Sequence, residues 1–265
     1  DAYSTTAINV DMQGLGALNF NQGDSGNGID ALDDKMPTAW EEPWGNALGT
    51  GVQLVSGVGP QTNVQYTTPT LLGTTITAAM THDMGSADVN DKGTSGVGSG
   101  SIGSGYDATV NVNPSLGTEI LSGLNLYAGA HTSSETVETI NDRYEGVAGV
   151  TYDIGPISLG YATSGISTGK VASSAVDYYK NSMYGVAFNV NDDLSISYGS
   201  HESQQAFVNP ADTESVHMDM TSWQIAYTMG GASIRYASTE VTNAAYQTAN
   251  AYDKEANVVS VSLAF

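Results

Sequence analysis

The chain is 265 residues long and carries 7 basic against 28 acidic residues, a formal charge of −21, with no cysteine. That balance excludes a binder of nucleic-acid backbones, which needs clustered lysine and arginine, and the missing thiols exclude disulfide frameworks, zinc knuckles and thiol chemistry. With 31 glycines and only 40% hydrophobic residues, two kinds of β-protein remain open. In one, each strand turns one face to water inside a channel and the other to lipid; the other is a thin-cored solenoid or adhesin.

Taken in chain order, the sequence reads as strands and almost nothing helical. Residues 6–12 and 15–20 make a first hairpin around Gln13-Gly14, and a long irregular stretch, 21–61, follows. Residues 63–68 and 74–82 pair through Pro69 and Gly73, and 106–113 and 124–132 flank Pro114-Ser115-Leu116-Gly117. The segment 143–153 turns through Ile154-Gly155-Pro156 into 157–164, and 177–190 turns through Asn191-Asp192-Asp193 into 194–200. Then 216–229 turns at Gly230-Gly231 into 233–241, and a last strand covers 254–265. Gly, Pro, Asn and Asp at these joints suit tight turns for steric reasons. No run approaches the ~18 apolar residues of a membrane-crossing helix.

Period two holds in strand after strand. Tyr144, Val150 and Tyr152 oppose Arg143, Glu145, Thr151 and Asp153; Trp223, Ile225, Tyr227 and Met229 oppose Ser222, Gln224, Ala226 and Thr228. A sandwich alternates too, so the connections decide more. Short joints take turns with long ones at 83–105, 133–142, 165–176, 201–215 and 242–253. One end of the sheet therefore has turns and the other loops, as in an antiparallel up-and-down barrel. Tyr66, Tyr152, Tyr161, Tyr198, Tyr227, Tyr236 and Trp223 stand on apolar faces, which suits an interfacial aromatic girdle.

In the last strand, KEANVVSVSLAF, Val259, Val261, Leu263 and Phe265 alternate with smaller residues toward a terminal aromatic. This strand resembles the C-terminal signature of Gram-negative outer-membrane β-barrels, with Leu263 in place of the aromatic often found there. The resemblance implies an outer-membrane location, contact with lipid and lipopolysaccharide, and closure of the barrel by Val259, Val261, Leu263 and Phe265 against a first strand.

The stretch 21–61 includes GDSGNGIDALDDKMPTAWEEPWGN. Loops this long in compact proteins are functional or disordered, and Met36, Trp40, Trp44 and Leu48 need something to pack on. In length, acidity and position after a Gly-rich hairpin it is similar to the third loop of general porins of the alphaproteobacterial type. That loop folds into the barrel and narrows the pore. The resemblance implies a passive diffusion channel for ions and small hydrophilic solutes, a homotrimer, and a constriction formed by Asp24, Asp30, Asp33, Asp34, Glu41 and Glu42. Carboxylates there would favour cations. A solvated acidic surface loop is the other reading of the stretch, and an acidic, Gly-rich surface or adhesive subunit is the other reading of the chain. Porins of the family have sixteen strands, five before the third loop and eleven after it. Thirteen are visible here, two before and eleven after, so three strands are expected to be missing at the start, and with them much of the basic wall. Of the basic residues present, Arg143 and Arg235 share the polar face of their strands and should point into the lumen.

Catalytic patterns are weak, and no enzyme is expected. His82, His131, His201 and His217 are scattered. GISTG at 165–169 matches a nucleophile elbow by letter but lacks the helix that must follow. GSGSIGSG at 98–105 lacks the lysine and helix of a phosphate loop. DVNDKG at 88–93 puts Lys92 at a calcium-ligand position. No cofactor is expected, although Asp30, Asp33 and Asp34 could bind Ca²⁺ weakly.

Overall fold

The computed structural model describes residues 5–263 apart from positions 24, 47, 60, 83, 85–101, 115–118, 136–139 and 212. Among the described residues thirteen strands form one sheet in strict chain order, every neighbouring pair antiparallel. They are β1 (Thr6–Asp11), β2 (Ala17–Gln22), β3 (Asn63–Thr67), β4 (Thr74–Thr81), β5 (Ile102–Val112), β6 (Leu124–Glu135) and β7 (Arg143–Ile154). The others are β8 (Ile157–Ser167), β9 (Val176–Asn189), β10 (Leu194–Phe207), β11 (Val216–Met229), β12 (Ala232–Thr242) and β13 (Lys254–Leu263). Among the described residues no helix is long and apolar enough to cross a membrane, a statement that does not bear on β-barrels.

The alternation sorts side chains into two unlike faces. Ile76, Leu126, Leu159, Tyr161, Tyr184, Val186, Ile196, Trp223, Ile225, Ile234, Val259 and Val261 project from one face, and all are exposed. Tyr198 sits in the same row, its ring 4.5 Å from Trp223 and 6.2 Å from Tyr184 between centroids. The opposite face is largely polar: Asp107, His131, Glu145, Asn181, His201, Gln224 and Thr239 are all buried there. What buries them is the connection between β2 and β3.

Several boundaries differ from the sequence reading: β5 begins four residues before its expected start, and β6 and β8 each run three residues past their expected ends. β2 starts at Ala17 because Gln13–Leu15 form a 3-10 turn that leaves Leu15 exposed. The long connection accordingly spans 23–62, since Asn21 and Gln22 complete β2. β10 runs seven residues past its expected end at Ser200, to Phe207, with His201 and Ser203 turned inward. The sheet is open. Among the described residues β13 pairs with β12 alone and β1 with β2 alone. Val259, Val261 and Leu263, expected to close a barrel, stand on the apolar face at 65%, 61% and 59% exposure, and Phe265 lies outside the described residues.

Candidate functional site

Residues 23–62 lie across the polar face from β3 to β13 and carry the hydrophobic core with them. Ile29, Leu32, Met36 and Val55 of the loop cluster with Tyr127, Val147, Ala162, Ile166 and Met183 of the wall. Farther along, Trp44, Leu48 and Val52 pack against Met218, Met220, Val241, Ala244 and Tyr246. Burying an apolar side chain of this kind stabilises by about 1.5–3 kcal/mol, so the loop is held as firmly as an ordinary core element.

Between these clusters the wall satisfies the loop's backbone. Asp107 Oδ2 accepts the N–H groups of Ile29 at 2.8 Å and Val58 at 3.2 Å, while Oδ1 lies 2.6 Å from His131 Nδ1. Glu145 Oε2 accepts from Ser56 and Gly57 at 2.8 and 3.1 Å, and its Oε1 accepts from Arg143 Nε at 2.7 Å. Two glycines make the approach to Asp107 geometrically open. Gly28 and Gly57 have φ of +58° and +49°, and a Cβ on either would run into Asp107 Oδ2. At the loop tip, Gln224 Oε1 accepts from Trp40 and Glu41, both at 3.0 Å, and its Nε2 donates to the Glu41 carbonyl. Ser197 Oγ accepts from Ala39, Asn181 Nδ2 donates to the Gln53 carbonyl, and Lys254 Nζ donates to the carbonyls of Leu48 and Gly49.

The wall also leaves room. Gly160 pairs with Gly185, which pairs with Gly199, so three neighbouring strands present bare backbone side by side. Pro37 lies over Gly160 and Gly185, and Pro43 over Gly199.

The loop's acidic residues separate in space. Asp34 is exposed, Asp30, Asp33 and Glu41 are half-buried, and Asp24 lies outside the described residues. Glu42, also expected in the constriction, is a buried side chain. It is 1% exposed, because Met36 N–H and the Trp44 indole N–H both need an acceptor and find its two oxygens at 2.8 and 2.7 Å. Burial pushes the Glu42 carboxyl up to about 8 despite those two bonds. Burial, then the charges of Asp30 and Asp34, push Asp33 up to about 7. Asp30 is raised by burial, against the bond it accepts from Gly26 N–H. Among the described residues no three His, Asp or Glu side chains form a group able to hold a metal ion. DVNDKG lies outside the described residues.

Arg143 and Arg235 are both on the loop face, Arg143 paired with Glu145 and Arg235 in a cavity beneath the loop tip. The anchors Asp107, His131, Glu145 and Gln224 were not singled out by sequence reasoning as a site. The available signal was a carboxylate or amide on the inward phase of a strand otherwise lined by small residues.

No protein-family model matches the sequence, and no curated protein matches it. Solved structures do. OmpF of Salmonella typhi in complex with daunomycin aligns with a TM-score of 0.63 at 12% identity, over 97% of this chain and 77% of that one. The anion-selective porin of Comamonas acidovorans aligns with a TM-score of 0.59 at 12% identity, over 90% of this chain and 67% of that one. OmpT of Vibrio cholerae gives a TM-score of 0.59 at 13% identity, over 97% and 76%. Identities this low speak for backbone architecture alone. Strand order, the unlike faces and the docked loop lead to one statement: the chain has the fold of the Gram-negative outer-membrane porins.

Proposed function

We propose that the chain forms most of the wall and the constriction loop of a porin, a water-filled channel in the outer membrane for passive diffusion of ions and small hydrophilic solutes. The observation that carries this reading is the contrast between the two faces. A continuous exposed apolar face of this extent marks a surface that meets lipid or another apolar partner, whereas the opposite face is polar and holds a well-packed loop. Lipid on one side and water on the other fit that arrangement. The side chains described on that face anchor the loop and line the wall, which supports a conduit.

Unpaired backbone groups at β1 and β13 could not be satisfied in lipid, so in the working channel both of these edges are paired. A homotrimer is the assembly in view, since OmpT of Vibrio cholerae, of like fold, has been seen in a trimer form. Asp30, Asp33, Asp34 and Glu41 give the loop a negative potential and the channel a preference for small cations. The test is a planar-bilayer recording on the full-length protein purified in detergent. Stepwise ohmic conductance is expected; a folded protein that inserts and carries no current would end this reading.

A further inference from the structure

Beneath the loop tip, toward the end of the sheet with the short turns, lies an open cavity of about 290 Å³. Its lining includes Trp40 from the loop, Asn189, Asp192 and Asp193 from the β9–β10 connection and its approach, Thr228 of β11 and Arg235 of β12. A volume near the lower bound for ligand pockets suits one small molecule. Opposite charges share this cavity without neutralising each other. Among the described residues the salt bridges are His131–Asp107, Arg143–Glu145 and His217–Glu202, so neither Arg235 nor the two aspartates is engaged in one. Among the described residues their side chains also make no hydrogen bond, although Asp193 contributes its backbone to the turn. Trp40 is fixed through its backbone N–H by Gln224, which leaves its indole half-exposed against the cavity.

We infer that this cavity is a subsite for small zwitterions carrying an apolar group, α-amino acids foremost. A guanidinium is a planar fork that matches a carboxylate in two-point contact. The aspartates of the same lining offer acceptors for an ammonium, and the indole offers a flat apolar surface that also attracts cationic groups through its ring face. A ligand with only one of the two charges would leave the other wall unanswered. A dipolar ligand answers both. The inference rests on the channel reading for its transport meaning, but the site itself can be read without current.

Saturation-transfer NMR on the detergent-solubilised protein with phenylalanine measures occupancy directly, and N-acetylphenylalanine and phenylalaninamide serve as singly charged controls. Transfer to phenylalanine is expected to exceed that to either control. Replacing Arg235→Gln should weaken it by about tenfold or more, the effect of one lost charge-assisted contact, and Asp192→Asn with Asp193→Asn should act likewise. Lys170→Gln, a charge removed far from the cavity, should change nothing. In bilayers the same phenylalanine should interrupt the current, with interruptions shortened in Arg235→Gln. Equal transfer to all three ligands, or transfer indifferent to Arg235, would overturn the subsite. Conductance without transfer would sink the subsite and leave the channel standing; transfer without conductance would do the reverse.

Discussion

Replacing Asp107→Ala removes the acceptor that joins β5 to two separate points of the loop. Its carboxylate is fully buried, so water does not stand in for it. The N–H groups of Ile29 and Val58 and the His131 imidazole would lose their partner together. Hydrogen bonds to a charged acceptor contribute about 1.5–3 kcal/mol each, so the two loop bonds alone account for roughly 3–6 kcal/mol of docking free energy. At about 1.4 kcal/mol per tenfold, the undocked population of the loop rises by on the order of 10²–10⁴. Two readouts follow that population. Proteolysis of the loop scales with the open fraction when opening is fast relative to cleavage, and single-channel records should gain conductance steps above the main level. Asp107→Asn keeps one oxygen as an acceptor, so it should fall between the parent and the alanine variant. Cutting rates and current noise equal to the parent in both variants would refute the assignment of Asp107 as a loop anchor.

Other outcomes follow from the loop's charges and the sheet's outer face. Asp33 and Glu42 hold protons in the folded chain at pH values where the unfolded chain has released them. Docking is therefore strongest below about pH 4 as far as these two groups decide it, and weakens as pH rises through about 7 and 8, while the loop gains charge. Cation preference from reversal potentials should thus increase between about pH 6 and about pH 9, and a preference that is flat or falling over that span would count against an inward-facing acidic loop. Neutralising Asp30, Asp33 and Asp34 together to asparagine should lower cation preference, whereas Glu42→Gln should leave it nearly unchanged and act on loop stability instead; the same recordings separate the two. Val186→Arg, on the exposed apolar face, should destabilise the protein in lipid by about 2–4 kcal/mol if the residue sits near the midplane. A denaturant midpoint in lipid that does not move would take that face out of the membrane.

Much of the fold was legible because the two faces meet solvents of opposite character, which writes period two into each strand. The pattern faded where both phases are polar. Beyond Ser200, His201 and Ser203 point inward while Glu202 and Gln204 point outward, so the strand continues with no apolar beat to mark it. The loop was legible as an element by its length and by aromatic residues in need of a partner, but its anchors were not. Asp107 and Glu145 bond to backbone N–H groups more than 45 residues away in the chain, and a backbone donor has no letter in the sequence. Glu41 and Glu42 look alike as neighbours, yet the Trp44 indole draws only Glu42 inward. Basic residues were readable by phase, since Arg143 and Arg235 each occupy the polar side of an alternating strand.

The bare strip at Gly160, Gly185 and Gly199 means that the height of the loop above the wall is set from beneath. A methyl group at Gly185 would stand 2.6 Å from the Pro37 carbonyl oxygen, where a carbon–oxygen contact needs about 3.3 Å, so the loop would have to rise by roughly 0.7 Å. At Gly199 the new carbon would meet Pro43 Cγ at 3.0 Å, a milder lift at the other end of the same segment. Side chains at these positions are shims under a hinged bar. Graded from alanine upward, they would tune the height of the loop in small steps, and with it the aperture of a channel of the proposed kind, while the loop's own side chains keep their identity.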